Sequence, residues 1–176
     1  MVSADYHLKL NTKNIPNEWS LNRYNILFKQ LHILENQVEL HIIMGDFLDR
    51  IPNMQELELF FKFVKGCSIE TLIFSGNHEM LRKNTTFLSH LKEVVNSINP
   101  LVQIIDDYYS RDNWDIIPYN KLKENWPELK GQILFTHCRA EIPPHVKPEI
   151  DLSLFDRWEK VYAGDLHSHS NSQRNI

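Results

Sequence analysis

Six short apolar runs, separated by stretches with helical spacing, constrain the fold of this chain more than any other feature. They lie at 38–44, 71–75, 101–105, 114–119, 132–137 and 160–164. Near-continuous apolar runs of this length are typical of strands that are buried on both faces of a sheet. Because the runs alternate with helical patterns, they predict a layered α/β fold.

The gaps between these runs carry apolar residues at helical spacing. A first helix is predicted to follow a cap at Ser20 and to carry apolar residues from Leu21 to Leu34. A second helical pattern runs from Leu57 to Val64, and a third begins near Asn84 and continues to Val95. These stretches are the predicted helical layers of the fold.

The composition is that of a globular domain. The 176 residues are 42% hydrophobic and 24% charged, which fits one domain with a sizeable core. A net charge of −4 gives no global positive field, so any contact with a polyanion must be local. The apolar runs fall far short of the ~20 residues that span a bilayer. Cys67 and Cys138 form no CxxC pair and the first ten residues lack a signal-peptide pattern, so we expect a reduced, cytoplasmic protein.

Five polar clusters stand where predicted strands end or where the first strand would lie. They are SADYH (3–7), GDFLDR (45–50), GNHE (76–79), THCR (136–139) and GDLHSH (164–169). In open α/β sheets, ligands gather beyond the carboxyl ends of the strands. We therefore expect these clusters to meet at one site.

The residue types in these clusters are those of a binuclear metal centre. Such a centre needs neutral imidazoles and carboxylate or amide oxygens, with one carboxylate shared between the two ions. The chain supplies these groups as Asp5, His7, Asp46, Asn77, His137, His167 and His169. In an extended segment, His167 and His169 would face the same side.

Each cluster by itself also has a purely structural explanation. GDFLDR could be a Gly-Asp turn before a helix cap, and GNHE could be a turn with a left-handed asparagine. The five clusters together, in this order, favour the metal centre. The histidines outside them, His32, His41 and His90, are predicted to have packing or surface roles, and Cys138 is predicted to be a packed thiol.

The ordered series resembles the calcineurin-like metallophosphoesterase family. The family pattern is Asp-x-His, Gly-Asp-x-x-Asp-Arg, Gly-Asn-His-Glu, a lone His and a Gly-His-x-His element, and the resemblance covers most of the chain. It implies a layered fold of mixed sheets flanked by helices. The last element departs from the pattern, because Asp165 and Leu166 stand between the glycine and the first histidine.

The resemblance also implies roles for individual residues. One metal ion would be held by Asp5, His7, Asp46 and His169, and the other by Asp46, Asn77, His137 and His167. Asp46 is then the bridging ligand. His78 resembles the family's proton donor to the leaving oxygen, while Asp49 and Arg50 would support the ligands or steady the phosphate.

Within the family, the segments 140–158 and 163–176 look most like phage recombination nuclease subunits related to the bacterial SbcD nuclease. This resemblance implies hydrolysis of DNA by metal-activated hydroxide, with Mn²⁺ favoured and Fe, Zn or Mg as alternatives. It implies an SbcC-type coiled-coil ATPase as partner, leaves a homodimer open, and places a phage-encoded chain in the host cytoplasm. Residues 1–176 would form a single nuclease domain truncated at both ends, with the cap and the partner-binding tail absent.

Two other functions fit the same motifs. A phosphomonoesterase or a small-nucleotide phosphodiesterase would use the same metal ligands. A non-catalytic metal-binding subunit could instead organise a DNA repair ATPase, although the presence of His78 argues against this alternative.

Overall fold

The computed structural model describes residues 1–141 and 147–165. Its helices are α1 (Asn17–Glu35), α2 (Met54–Gly66) and α3 (Lys92–Ile98). Its strands are β1 (Val2–Ser3), β2 (Leu40–Met44), β3 (Glu70–Phe74), β4 (Met80–Arg82), β5 (Thr85–Thr86), β6 (Val102–Ile105), β7 (Tyr109–Arg111), β8 (Trp114–Ile117), β9 (Ile133–His137) and β10 (Lys160–Gly164). Short 3₁₀ helices lie at Leu88–Leu91, Tyr119–Lys121 and Leu152–Phe155.

The first sheet is parallel and has the strand order β1-β2-β3-β6. Helices α1 to α3 cover one of its faces. The apolar side chains between this sheet and the helices form the largest core cluster, which includes Phe28, Ile43, Phe47, Phe60, Phe63, Ile73 and Val95. Parallel strands need such crossover helices, which here cover one face of the sheet. The second sheet covers the other face.

The second sheet is mixed and has the strand order β10-β9-β8-β7. Its first three strands are parallel, and β7 pairs antiparallel with β8. A core cluster that contains Phe155 and Trp158 covers one face. The other face packs against the first sheet through Ile42, Met44, Leu72, Phe74, Ile105, Ile116 and Phe135.

Packing of the two sheets brings the carboxyl ends of β2 and β9 together. The Nδ1 atom of His137, at the end of β9, lies 2.9 Å from the carbonyl oxygen of Met44, at the end of β2. At the buried edge formed by these strand ends, hydrogen bonds link the first four polar clusters to one another. The fifth cluster, at 164–169, is described only as far as Asp165.

The layered α/β fold with mixed sheets flanked by helices is confirmed. Each of the six apolar runs contains most of one strand. The predicted cap at Ser20 is wrong: α1 begins at Asn17, and Ser20 is buried within it. The carbonyl oxygen of Pro16 accepts the N–H groups of Trp19 and Ser20, so the first turn forms without a side-chain cap.

The predicted start of a helix near Asn84 is also wrong. Strands β4 and β5 form a hairpin there, and Asn84 sits in its turn with a φ of 59°, a left-handed conformation that asparagine tolerates. The apolar residues at 87–95 belong to a 3₁₀ turn followed by α3. Across residues 1–141 and 147–165, no helix is long and apolar enough to cross a membrane.

Candidate metal centre

Asp46 lies at the centre of the polar edge. Its side chain is 1% exposed, and it follows Gly45 directly after β2. Both residues have a positive φ, 80° for Gly45 and 50° for Asp46, which turns the Asp46 carboxylate under the end of the sheet. A Cβ atom at position 76 would lie 2.1 Å from Asp46 Oδ1, so the close approach of the two loops requires Gly76.

Three imidazole rings face one oxygen of Asp46. The Oδ2 atom lies 3.4 Å from Nε2 of His137, 3.8 Å from Nε2 of His7 and 3.9 Å from Nε2 of His78. The other oxygen, Oδ1, accepts the backbone N–H of His78 at 3.0 Å. One carboxylate therefore stands where imidazole side chains from three chain segments converge.

The ring of His137 is held in one orientation. A carbonyl oxygen can only accept, so Met44 requires the hydrogen on Nδ1 and leaves Nε2 toward the centre. There Nε2 lies 3.0 Å from Asn77 Oδ1. Burial by itself would lower the pKa of His137, but the hydrogen bond to Asp46 and its negative charge raise the pKa to about 9.

Burial and charge act in opposite directions on Asp46 as well. Burial would raise the pKa of this carboxyl group, yet the hydrogen bond and charge of His137, followed by the backbone N–H and charge of His78, lower the pKa below its ordinary value. The carboxylate is therefore ionised at neutral pH, as a shared metal ligand has to be.

Asp5 and His7 reach the centre from the segment after β1. Asp5 Oδ1 lies 3.9 Å from His7 Nε2, and both Asp5 oxygens lie 3.2 Å from the backbone nitrogen of Asp165. His7 Nδ1 lies 3.6 Å from Asp49 Oδ1. Asp49 therefore lies beside Nδ1, while Nε2 of the same ring faces Asp5 and Asp46.

His78 is more exposed than the other imidazoles, with 36% of its side chain accessible. Its Nδ1 atom donates to the carbonyl oxygen of Asp49 at 2.7 Å, which fixes the hydrogen on Nδ1. Its ring packs edge-on against His7, with centroids 4.6 Å apart. The Nε2 atom is left at the rim, where a substrate could reach it.

Backbone conformation marks the same region. Among the described residues, eight non-glycine residues have a positive φ, and four of them, Asp5, His7, Asp46 and Asp165, lie at this centre. Such conformations are uncommon and persist where the surroundings enforce them, which is frequent at functional sites.

Glu79 is an important residue that the motifs did not single out for a role. It is 1% exposed. One oxygen accepts the backbone N–H groups of Asp46 at 3.1 Å and Gly76 at 2.8 Å, and the other accepts that of Leu48 at 2.8 Å. Burial, followed by the charge of Asp46, raises the pKa of Glu79 to about 7. Its carboxyl group joins the two loops that present the ligands.

Asp165 was treated in the sequence only as an insertion before the last histidines. Besides its backbone contact with Asp5, its Oδ1 lies 4.0 Å from His137 Nε2 and its Oδ2 accepts Arg139 Nε at 3.0 Å. The signal that could have found it is its place directly after β10, whose carboxyl end lies beside that of β9.

Two of the predicted residue groups are not placed at the centre. Arg50 is half-exposed and lies 3.3 Å from Glu56 at the start of α2. His167 and His169 lie outside the described residues. The remaining predicted residues, Asp5, His7, Asp46, Asp49, Asn77, His78 and His137, come together.

The donor set fits divalent ions. Ligand atoms of Asp5, Asp46 and His137 lie within 4.8 Å of one another, and so do those of His7, Asp49 and His78. Carboxylate oxygens and imidazole nitrogens suit several divalent ions. In addition, His137 Nε2 lies close to Asn77 Oδ1 and Asp46 Oδ2, and an ion could replace these contacts by binding all three atoms.

The comparison with protein families agrees with this geometry. A model of the calcineurin-like phosphoesterase family matches residues 1–173. The chain belongs to this family. A calcineurin-like phosphoesterase uses divalent metals to hydrolyse phosphoesters, and the described residues include groups that could hold such ions.

A relative of this calcineurin-like phosphoesterase is found in Escherichia phage T5. It is named probable exonuclease subunit 1 and is 40% identical over 178 residues. The aligned region covers 98% of this chain and 55% of the phage protein. The chain therefore spans about half the length of the relative that it matches.

A first prediction concerns the pH dependence of metal binding. Because the pKa of His137 is raised to about 9, the metal-free chain carries a proton on Nε2 below that pH, and an ion has to displace it. The affinity for divalent ions should rise about tenfold per pH unit up to this pKa. Calorimetric titration of Mn²⁺ at several pH values measures the slope, and a flat profile would contradict the assignment of His137.

A second prediction concerns Glu79. In Glu79→Gln one oxygen becomes an NH₂ group, so at least one of the three backbone N–H groups faces another donor. A buried unsatisfied donor costs about 1–3 kcal/mol, which should appear as a loss in the free energy of unfolding. Urea denaturation at about pH 5 measures the loss, because the native Glu79 carboxyl, with a pKa of about 7, is uncharged there and the substitution removes no buried charge. Glu128→Gln, at an exposed position, is the matched control and should leave stability unchanged.

Proposed function

We propose that this chain hydrolyses phosphodiester bonds in DNA as the nuclease subunit of a phage exonuclease. The observation that carries the proposal is the Asp46 carboxylate, whose Oδ2 lies 3.4–3.9 Å from three imidazole nitrogens. Family membership supports phosphoester hydrolysis. The name of the phage T5 relative, probable exonuclease subunit 1, supports a nucleic acid substrate and a complex with other subunits.

Two divalent ions would be held by the converging ligands, with Asp46 shared between them. Asp5 and His7 would serve one ion, and Asn77 and His137 the other, joined by His169 and His167 as the sequence pattern implies. When bound, such ions lower the pKa of a water molecule and neutralise charge on the phosphate oxygens. From the resemblance to the family we favour Mn²⁺, with Fe, Zn or Mg as alternatives.

The chain's own residues would orient the phosphate and move protons. His78 donates its Nδ1 hydrogen to the carbonyl oxygen of Asp49, and its Nε2 atom lies at the rim of the centre. From there a protonated Nε2 can donate to the leaving sugar oxygen. Asp49 adjoins both rings, since its carbonyl oxygen accepts the Nδ1 hydrogen of His78 and its carboxylate lies 3.6 Å from His7 Nδ1. Arg50 would approach the phosphate from outside the cluster.

The partner that we propose is a coiled-coil ATPase of the SbcC type. The support for this is the subunit name of the phage T5 relative together with the resemblance of residues 140–158 to SbcD-related nucleases. A role in recombination or repair in the host cytoplasm would follow from such a partner.

We expect Asp46→Asn to weaken binding of both ions and to abolish hydrolysis of labelled DNA. Changes to residues that merely support metal ligands cost about 10–100-fold, so loss of the shared ligand should cost at least about 100-fold in turnover. The measurement is cleavage of end-labelled duplex and single-stranded DNA with Mn²⁺, beside metal analysis of the same protein.

The control for this experiment is Asp107→Asn, at an exposed position far along the chain. It should retain ions and activity. Two tightly bound ions in Asp46→Asn would contradict the shared-ligand assignment. If the chain hydrolyses a generic phosphomonoester but cleaves no DNA, it is a phosphoesterase and the proposed nuclease activity is wrong.

His78→Ala should separate proton donation from metal binding. Loss of a general acid lowers turnover by about 10²–10⁴-fold, while the ion content should match that of the unmodified protein. Steady-state kinetics and metal analysis measure the two quantities, and exposed His90 gives the control His90→Ala. Parallel loss of ions and activity would show that His78 is a ligand.

A further inference from the structure

A second cluster of potential metal ligands lies away from the centre, beneath the carboxyl-terminal end of α1. Glu35 is fully buried there. Its Oε2 atom lies 2.9 Å from His32 Nδ1, and its Oε1 atom lies 2.9 Å from His41 Nδ1. A fully buried carboxylate is uncommon, and this one is held between two imidazoles.

Cys67 adds a sulfur atom to this cluster. It follows α2 directly and is 5% exposed. The ligand atoms of His32, Glu35 and Cys67 all lie within 4.8 Å of one another. They come from two helices that are neighbours in the core, so their convergence depends on tertiary packing and not on a local sequence motif.

Nitrogen, oxygen and sulfur donors together select a particular class of ion. Thiolate and imidazole ligands favour borderline metals such as Zn²⁺ and Co²⁺, whereas Mg²⁺ and Mn²⁺ prefer oxygen. Among the described residues, the ligands at the candidate metal centre around Asp46 include no thiolate. The two clusters should therefore differ in metal preference.

We propose that His32, Glu35 and Cys67 form a separate site for a single thiophilic divalent ion such as Zn²⁺. The site does not depend on the proposed nuclease function.

The surroundings of these residues have the features of a metal site. His41 Nδ1 holds the Glu35 oxygen that faces away from His32, and His41 Nε2 lies 2.7 Å from the Ser3 hydroxyl. Hydrogen bonds of this kind orient ligating carboxylates in known metal sites. No carboxylate oxygen of Glu35 is left without a partner.

The His32 side of this cluster borders a groove that is open to solvent. The side chain of His32 is 23% exposed and lines a groove together with Phe28, Lys29, Phe63 and Gly66. Its ring stacks on Phe63 with centroids 5.0 Å apart. A Cβ atom at position 66 would lie 2.5 Å from His32 Nε2, so glycine at the end of α2 leaves the space that the ring occupies.

A bound ion would join α1 to the carboxyl-terminal end of α2. Any ligand that binds only the folded chain raises its stability by mass action. Burial raises the pKa of the Cys67 thiol to about 12, so the thiol is protonated in the metal-free chain and binding releases a proton. Zn²⁺ should therefore raise the thermal unfolding temperature of the 176-residue chain.

Titration with Co²⁺ tests the site directly, because cobalt bound to a thiolate absorbs in the near ultraviolet and cobalt bound only to oxygen and nitrogen does not. The full chain, first freed of metal with a chelator, is titrated with Co²⁺ alone. We expect one equivalent of thiolate absorption that Zn²⁺ then removes by competition. The Asp46→Asn variant should give the same absorption, since its change lies in the other centre.

Variants of both cysteines and of His32 identify the ligands. Cys67→Ala should abolish the absorption, and Cys138→Ala, the matched control at the other buried cysteine, should retain it. His32→Ala changes a partly exposed residue and should fold, so it provides a test of the site if Cys67→Ala does not fold. It should lower the Co²⁺ affinity by at least about tenfold.

Three outcomes would overturn the proposal. One is the absence of thiolate absorption in the unmodified chain at saturating Co²⁺. Another is absorption that is lost in Cys138→Ala and retained in Cys67→Ala. The third is an unchanged Co²⁺ affinity in His32→Ala, which would leave Glu35 as a partner of the two histidines only.

Discussion

The buried carboxylate of Asp46 is the constraint on which the rest of the structure depends. A charge that is removed from water is costly unless other groups replace the hydration that it loses. At this position the replacement comes from the backbone N–H of His78, in the loop after β3 of the first sheet, and from the ring of His137, at the end of β9 in the second sheet. Stable burial of one side chain therefore requires that both sheets be packed together.

Much of the fold could be predicted because buried strands leave a simple pattern. Each of the six apolar runs corresponds to a strand, since a strand that is covered on both faces must be apolar throughout. Strands β1 and β7 were missed because they are two and three residues long and carry polar side chains. The hairpin around Asn84 was missed because apolar residues at helical spacing, 87–95, begin directly after it.

The convergence of the site residues could also be predicted, because strand ends of parallel sheets meet at one edge. What could not be predicted is how the ligands are held. Glu79 binds backbone N–H groups of two loops, and backbone donors leave no trace in a pattern of side chains. The cluster at Glu35 escaped for another reason, since Cys67 lies 32 residues further along the chain and neither residue follows a strand. His32 and His41 do have packing roles, as their ring contacts with Phe63 and Ser3 show.

The contact between Asp165 and Asp5 joins residues that are 160 positions apart. Together with the contact between His137 and Met44, which spans 93 positions, it gives the centre an unusually non-local character. Contacts of such long range form late, because the chain must first lose the entropy of large loops. A nascent chain on the ribosome would therefore remain without an assembled centre until Asp165 has been synthesised. Synthesis would thus delay the appearance of a competent centre until almost the whole described chain is in place.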